Sequence, residues 1–246
     1  MKIFSKTDIG LLRDENQDCV WSASLSDGAC AAVLCDGMGG EAHGGLASRI
    51  AVDVISKRML GTFSEMMNRN SVRNLLITAV SAANSSVVDA ARKQPEGAVM
   101  GTTCVAAIVS GGRAYIVNVG DSRGYHLFTS EDSECIQQVT KDHSHVRDLI
   151  DRGEITEEQA KLHPDRNKIT RAIGAEEMVT PDYFELDLAD GDMILLCSDG
   201  LSSYGDDMDI LDICFEYPTE EICDKLVDYA NGNGGHDNIS VALIAV

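Results

Sequence analysis

The chain has 246 residues, of which 44% are hydrophobic and 24% are charged, so we expect a single globular domain over residues 1–246 rather than a disulfide-stabilised miniprotein. Lys and Arg number 20 while Asp and Glu number 40, which gives a net charge of −20 at neutral pH. Because such a chain is repelled by nucleic-acid backbones and anionic membrane surfaces, we expect no nucleic-acid partner and no membrane partner.

The N-terminal segment and the cysteines favour a cytoplasmic protein. Residues 1–16 mix charged and apolar side chains without the apolar core of a signal peptide, and no apolar run approaches the ~20 residues that cross a bilayer. None of the eight cysteines forms a Cys-x-x-Cys pair, and several lie within apolar runs. We therefore expect reduced, mostly buried thiols, with a zinc site or a catalytic cysteine as the alternative.

The first third of the chain predicts three strands followed by two helices. Residues 3–6, 18–23 and 29–35 have compositions typical of strands. Apolar residues then recur with helical spacing at 45–62 and 71–92, and the second stripe is typical of a helix packed on a sheet.

The middle of the chain predicts a β-rich block and then a polar helical insertion. Strands are expected at 102–110, 113–119, 124–128 and 135–140, and Gly111-Gly112 indicates a hairpin between the first two. The insertion covers residues 144–162, and Thr156 with Gln159 matches a helix capping box.

The last third predicts strands at 183–188, 193–198 and 239–246 with a helix at 220–230. Over the whole chain the strands come in adjacent runs and the helices in adjacent pairs. This order favours antiparallel sheets with helices outside them, rather than alternating βαβ units with a parallel sheet.

Acids stand at the ends of the most apolar predicted strands: Asp36 followed by Gly37, Asp121, Asp199, and Asp237 followed by Asn238. Buried strands deliver their ends to fixed places, so these carboxylates could converge in one cleft. Carboxylates held together repel unless a cation neutralises them, and all-oxygen ligation favours Mg²⁺ or Mn²⁺ over Zn²⁺. Each Asp-Gly or Asp-Asn pair alone is also a common turn, so the hypothesis depends on the whole set.

The segment 10–18 adds Arg13 and Asp18 just before a predicted strand. A guanidinium offers a planar fork of donors that matches two phosphate oxygens and does not lose its charge. Beside a carboxylate metal site, Arg13 indicates a phosphate substrate, and taken alone it reads as a solvated surface residue.

Eight short motifs follow one another along the chain: Arg13-x-x-Asn16-Gln17-Asp18, Asp36-Gly37-Met38-Gly39-Gly40, Gly101-Thr102-Thr103, Val119-Gly120-Asp121-Ser122-Arg123, Thr140-x-Asp142-His143-Ser144, Ile169-Thr170-Arg171-Ala172-Ile173-Gly174, Ser198-Asp199-Gly200 and Asp237-Asn238. In this order they resemble the metal-dependent type 2C Ser/Thr protein phosphatases, and the short single-domain bacterial members most closely. The resemblance implies an α+β fold, a four-layer α-β-β-α sandwich with two central antiparallel sheets flanked by helix pairs. It also implies one catalytic domain over 1–246 with a flap insertion at about 144–166.

The resemblance also implies roles for individual residues. Asp36 would bridge two Mn²⁺ or Mg²⁺ ions, with the carbonyl of Gly37, Asp199 and Asp237 completing the pair. Asp18 would act through a water on the metal, Asp121 would join Asp199 at a third, weaker metal site, and Asn238 would be a supporting residue. Arg13 would take the substrate phosphate, so Arg13 and Asp36 are the expected catalytic residues. Thr102 and Thr103 are expected to support the sheet, and His143 to order the flap.

The expected function is metal-dependent hydrolysis of phosphoserine and phosphothreonine in proteins by a hydroxide that bridges the two metals. The enzyme would be a monomer that reverses Ser/Thr kinase signalling, with a cognate kinase and its targets among its phosphoprotein partners. The alternatives are an inactive phosphoprotein-binding relative and a phosphatase of the same fold for a different phosphorylated substrate.

The chain departs from the family pattern at a few positions. Many eukaryotic members carry a His where this chain has Met38, and that His is a proposed acid for the leaving alkoxide. Met cannot donate a proton, and His43 has no support from the family, so metal-bound water is the preferred acid. Glu41 stands where bacterial relatives often have His, and Gln17 replaces a frequent Glu.

Overall fold

Two five-stranded antiparallel sheets form the centre of the structure, a computed structural model that describes residues 1–39, 43–94, 99–131 and 133–246. The strands are β1 (Lys2–Asp8), β2 (Cys19–Ser26), β3 (Ala29–Cys35), β4 (Gly37–Met38), β5 (Gly101–Thr102), β6 (Cys104–Ser110), β7 (Arg113–Val119), β8 (Arg123–Ser130), β9 (Ser133–Gln138), β10 (Asp182–Asp187), β11 (Met193–Cys197) and β12 (Ile239–Ala245). The helices are α1 (His43–Thr62), α2 (Arg69–Ala91), α3 (His145–Asp151), α4 (Glu157–Lys161), α5 (Asp199–Ser202), α6 (Asp207–Glu216) and α7 (Ile222–Gly232). One sheet has the order β1-β12-β11-β8-β9 and the other β10-β7-β6-β3-β2.

Three apolar clusters separate four layers. The alternation of side chains along β3 shows this: Ala31 and Val33 face α1 and α2, whereas Ala32 and Leu34 face the other sheet. A third cluster packs β8, β11 and β12 against α6 and α7. The predicted α+β fold with an α-β-β-α sandwich is therefore confirmed, and the central strands of the sheets, such as β3 and β11, are buried on both faces.

The helical stripe predicted at 71–92 is confirmed by α2. All seven of its apolar positions are buried against the sheet: Val72, Leu75, Leu76, Ala79, Val80, Ala83 and Val87. Asn68 caps this helix by accepting a hydrogen bond from the backbone N–H of Ser71 at 3.0 Å. The Gly111-Gly112 hairpin is also confirmed, because both glycines have the positive φ that such a tight turn requires.

Two predictions of the elements differ from the structure. The insertion is two short helices, α3 and α4, because Gly153 turns the chain with φ +71° between them. The capping box is present at the start of α4 as predicted. Helix α6 was not predicted; Asp206 caps it by accepting a hydrogen bond from the N–H of Met208, and it buries Ile210, Leu211 and Cys214.

The cysteines are all free thiols, and six of the eight are buried, as predicted. In the described part of the chain, no helix combines the length and the apolar composition needed to cross a membrane.

Candidate active site

A cavity of about 700 Å³ opens at the end of the two sheets where β3, β7 and β11 finish and β12 begins. Its walls include all of the predicted site residues except Asp18: Arg13, Asp36, Gly37, Asp121, Asp199, Asp237 and Asn238. The strand ends thus bring together acids that lie up to 201 positions apart in the sequence, from Asp36 to Asp237.

Asp18 lies directly behind the cavity wall and is 8% exposed. Its backbone N–H donates to Asn16 Oδ1 at 3.0 Å, and its Oδ2 accepts a hydrogen bond from Ser198 Oγ at 2.8 Å. Within the described residues, its Oδ1 and the Oδ1 of Asp199 are buried without a hydrogen-bond partner. A buried carboxylate oxygen without a donor is costly, so these two atoms indicate a position for a cation.

Asp36 is fixed by its backbone. Its N–H donates to Thr103 Oγ1 at 2.9 Å, and its carbonyl accepts hydrogen bonds from Thr102 Oγ1 at 2.7 Å and from the N–H of Thr103 at 2.8 Å. The two threonines break the predicted strand 102–110 into β5 and β6 at this point. They hold the end of β3 in place while the carboxylate of Asp36 faces the cavity.

Gly37 has no room for a side chain. A Cβ at this position would lie 2.2 Å from the carbonyl oxygen of Gly44 and 2.7 Å from that of Gln17. The backbone next to Asp36 therefore runs against both α1 and the segment before β2, and only glycine permits this approach.

Asn238 anchors the segment that carries Arg13. Its side-chain amide donates to the carbonyls of Ile9 and Glu15, each at 2.9 Å, and its Oδ1 accepts the N–H of Gln17 at 2.8 Å. Arg13 Nη2 then donates to Asp237 Oδ2 at 2.6 Å. Asn238 therefore positions both sides of this ion pair, because its own N–H also binds Asp237 Oδ1.

Asp121 follows β7 in a turn that is braced from two sides. The N–H of Gly120 donates to His143 Nδ1 at 3.0 Å, so His143 joins this turn to the insertion. On the other side, Arg123 forms a bidentate ion pair with Asp142 through Nε at 3.1 Å and Nη2 at 2.7 Å.

Burial and mutual repulsion raise the pKa values of the clustered carboxyls. Burial raises the pKa of Asp18 to about 7 and that of Asp199 to about 6, and neighbouring carboxylates add to each rise. Burial and then Asp199 raise the pKa of Asp121 to about 8. Burial raises the pKa of Asp36 well above its usual range, with Asp18 and Asp199 the next causes. Each carboxylate thus needs a positive charge nearby to be ionised near neutral pH.

These residues fit hard divalent cations with many water ligands. In the described ranges, no three His, Cys, Asp or Glu side chains form a ready-made ligand set for one ion. Mg²⁺, however, is usually held by one or two carboxylates and keeps several waters. The orphaned oxygens of Asp18 and Asp199, the repelled carboxyl of Asp36 and the tight backbone at Gly37 suit such sparse ligation.

We expect the metal-free protein to lose stability as the pH rises from 6.5 to 8. A carboxyl whose pKa is raised in the folded state stabilises the fold below its unfolded pKa, and this contribution is lost as the pH passes the folded pKa, about 7 for Asp18 and about 8 for Asp121. Thermal unfolding in a chelator should show the melting temperature falling by about 5 °C or more.

Mn²⁺ should remove most of this fall, because a cation that binds only the folded state stabilises it most where the carboxylates are ionised. The Asp121→Asn variant, which lacks the group with a pKa of about 8, should show a shallower decline without metal. A wild-type melting temperature that does not change between pH 6.5 and 8 in chelator would contradict the raised pKa values of these carboxyls.

The sequence predicted no individual role for several residues of the cavity and its support, although Ile169 and Ser198 belong to two of the eight motifs. Glu15, Asn167 and Ile169 line the cavity, and Ser198 donates to Asp18. Asn167 and Ile169 directly follow the predicted flap at about 144–166, and this position along the chain could have indicated that they line the cavity. Gly40, the last residue of the Asp36 motif, and Glu41, which departs from the family pattern, lie outside the described residues. His43 begins α1 and is not among the residues that line the cavity.

Comparisons with known proteins agree with this architecture. The sequence profile of the family described as Protein phosphatase 2C matches residues 13–240. The serine/threonine phosphatase stp of Listeria monocytogenes is 35% identical over 240 residues, which are 97% of this chain and 93% of that protein. The structure of the S. agalactiae serine/threonine phosphatase superposes with a TM-score of 0.89 at 31% identity, covering 100% of this chain and 99% of that one.

A second solved structure, the catalytic domain of the serine threonine protein phosphatase PstP in complex with two manganese ions, has a TM-score of 0.81 at 34% identity. It covers 98% of this chain and 96% of that chain. The profile match, the identities and the shared fold extend over nearly the whole sequence. The chain belongs to the protein phosphatase 2C family.

Proposed function

We propose that this chain hydrolyses phosphoserine and phosphothreonine in proteins with the help of Mn²⁺ or Mg²⁺. The observation that carries the proposal is the cavity itself, which is lined by half-buried, mutually repelling carboxylates and by Arg13. An inactive binding relative would gain nothing from the raised pKa values and the two orphaned carboxylate oxygens, which cost stability. The match to named Ser/Thr phosphatases along the whole chain supports the reaction class.

We assign the metal site to the predicted residues. Asp36, the carbonyl of Gly37, Asp199 and Asp237 would hold two core ions, with Asp18 behind them and Asp121 with Asp199 at a third, weaker position. When bound, the ions supply an activated water and neutralise the charge on the phosphoryl oxygens. The chain's own contribution is to fix these carboxylates on rigid strand ends, so that no rearrangement is needed when the substrate arrives.

Arg13 binds and orients the substrate phosphate in this proposal. Its side chain is 54% exposed, and its hydrogen bond to Asp237 uses only one of the five N–H donors of the guanidinium. The remaining N–H groups can donate hydrogen bonds to two phosphate oxygens while Asp237 holds the guanidinium at the cavity wall.

Arg13→Ala should raise the KM for phosphopeptides and weaken inhibition by inorganic phosphate, each by about tenfold, because a charge-assisted hydrogen bond is lost. Steady-state kinetics with a phosphothreonine peptide measures both effects. Arg58→Ala removes an exposed arginine from α1 and serves as the matched control. Unchanged KM and unchanged phosphate inhibition in Arg13→Ala would show that Arg13 is a solvated surface residue that does not bind the substrate phosphate.

Met38 lines the cavity but its thioether has no proton to give. In this proposal the leaving alkoxide therefore takes its proton from a water molecule in the cavity.

The test of the function is a metal-dependence assay on peptides that differ only in the phosphorylated residue. Phosphoserine and phosphothreonine peptides should be hydrolysed with Mn²⁺ or Mg²⁺, a phosphotyrosine peptide much more slowly, and a chelator should stop the reaction until excess Mn²⁺ is added. Failure on all peptides with activity on a small aryl phosphate would indicate a different phosphorylated substrate.

Thiol alkylation provides the control for this test. Burial raises the pKa of Cys197, Cys214 and Cys223 to about 12, so these thiols are unreactive. Mild iodoacetamide should leave the activity intact, and loss of activity without unfolding would favour a catalytic cysteine instead.

We also propose that the chain acts in the cytoplasm as a monomer, as one catalytic unit over 1–246 with the flap at about 144–166. Eight free cysteines support a reducing compartment, and the walls of the cavity come from a single chain. Its phosphoprotein substrates would include a cognate Ser/Thr kinase and the targets of that kinase.

A further inference from the structure

A second pocket of about 480 Å³ lies beside the catalytic cavity and shares two wall residues with it, Met38 and Ile169. We call it the side pocket and define it by Met38, Ile169, Arg171, Glu176, Met178 and Val179. Neither the metal site nor the phosphate-binding residues extend into it. Because the two spaces share Met38 and Ile169 as wall residues, a substrate bound in one lies next to the other.

Hydrogen bonds fix the position of the side pocket relative to Asp36. Strand β4 continues directly from Asp36 and pairs with β5, with Met38 opposite Gly101. Thr102 of β5 pairs in turn with Ile173, through N–H to carbonyl bonds of 3.0 and 2.9 Å. A short ladder therefore links the catalytic strand end to the inner wall of the side pocket.

The outer wall is held from α2. Asn84 is 1% exposed, and its amide donates to the carbonyls of Glu176 at 3.0 Å and Glu177 at 3.2 Å. Its Oδ1 accepts the N–H of Gly174 at 2.8 Å, and Arg92 binds the carboxylate of Glu177. The loop that carries Met178 is thus pre-shaped, which lowers the entropy cost of binding against it.

The side pocket has both apolar and polar walls, the polar part including Thr170 and Thr180, and it carries one unbalanced negative charge. Met38, Ile169, Met178 and Val179 supply thioether and aliphatic surface, and Met178 is 85% exposed. The charge of Arg171 is neutralised by Asp182 at 2.7 Å. Among the described residues Glu176 has no ionic partner, so it would repel an acidic side chain.

We propose that the side pocket is a specificity subsite that takes an apolar side chain of the phosphoprotein substrate. The proposal rests on the proposed phosphatase function. In an extended peptide, side chains two positions apart point to the same side and lie about 6.6 Å apart, which suits two adjoining pockets. The residue two positions before, or the residue two positions after, the phosphorylated residue therefore places its side chain in the side pocket. An acidic side chain at that position is disfavoured by Glu176.

The test uses phosphothreonine peptides that carry Leu, Gly or Asp two positions before or two positions after the phosphorylated residue. At one of these positions, kcat/KM should be about tenfold higher for Leu than for Asp, mainly through KM, with Gly between them. Equal kcat/KM for Leu, Gly and Asp at both positions would overturn the proposal. Hydrolysis of the Gly peptide and of a small aryl phosphate with Mn²⁺ reports the phosphatase function separately, so the two failures are distinguishable.

Two substitutions of Met178 connect the selectivity to the side pocket. Because this side chain is exposed, its replacement should not disturb folding. Met178→Ser should reduce the ratio of kcat/KM for Leu over Gly, and Met178→Lys should raise kcat/KM for the Asp peptide about tenfold. Met66→Ser changes an equally exposed Met, 95% exposed and outside both pockets, and should keep the wild-type ratios. Wild-type ratios in both Met178 variants would place the selectivity elsewhere and overturn the assignment.

Discussion

Asp36→Asn should abolish turnover while leaving the fold intact. Asp36 lies at the end of β3 in the wall of the catalytic cavity, and its carboxylate is the one proposed to serve both core cations. Loss of the charge that bridges two ions should lower the rate by about three orders of magnitude or more. The backbone contacts that hold this position use Thr102 and Thr103, so they remain in the variant.

The stability of this variant should not fall, since burial and the neighbouring carboxylates Asp18 and Asp199 oppose ionisation of Asp36. We expect a melting temperature in chelator equal to or above that of the wild type. Asp190→Asn, which neutralises an exposed acid in a turn, is the matched control for net charge and should keep full activity. Purified Asp36→Asn with more than about a tenth of wild-type activity at saturating Mn²⁺ would show that the site is wrongly assigned.

The convergence of the acids could be predicted because each stands at the end of an apolar strand. Asp36, Asp121 and Asp199 follow β3, β7 and β11, and such strands are buried and rigid. A sequence pattern of apolar runs that end in Asp therefore predicts which acids line the cavity. The same pattern predicted the strands themselves, because a fully apolar run of seven residues, as in β3, is typical of a strand covered on both faces.

The supporting contacts could not be predicted in this way. Asn238 binds carbonyls of Ile9 and Glu15, more than 220 positions away, and no local pattern encodes such a pairing. The contacts of Thr102 and Thr103 with Asp36 depend on how β3 and β6 align, which is a property of the sheet. Helix α6 was missed because its ten residues contain four acids, Asp207, Asp209, Asp212 and Glu216, which obscure a short buried stripe.

Asp121 follows β7 as Asp36 follows β3, but it is proposed to serve only the third, weaker metal position. Asp121 is half-buried, burial and then the charge of Asp199 raise its pKa to about 8, and both residues line the catalytic cavity. An Asp in a turn also commonly hydrogen-bonds its own backbone, and such an interaction opposes the rise of the pKa of Asp121. A role at a weak third metal and a role in shaping the turn between β7 and β8 therefore give different predictions.

If Asp121 serves a third metal, Asp121→Ala and Asp121→Asn should both lose most phosphopeptide turnover, while elemental analysis still finds two tightly bound metals. Asn keeps the hydrogen bond of the turn but not the charge, so it separates the two roles. If Asp121 only shapes the turn, Asp121→Ala should melt at a lower temperature with near-normal turnover per folded molecule, and Asp121→Asn should resemble the wild type in both measurements. That second pattern would show that Asp121 is not a metal ligand, and Asp199 would then serve only the two core ions.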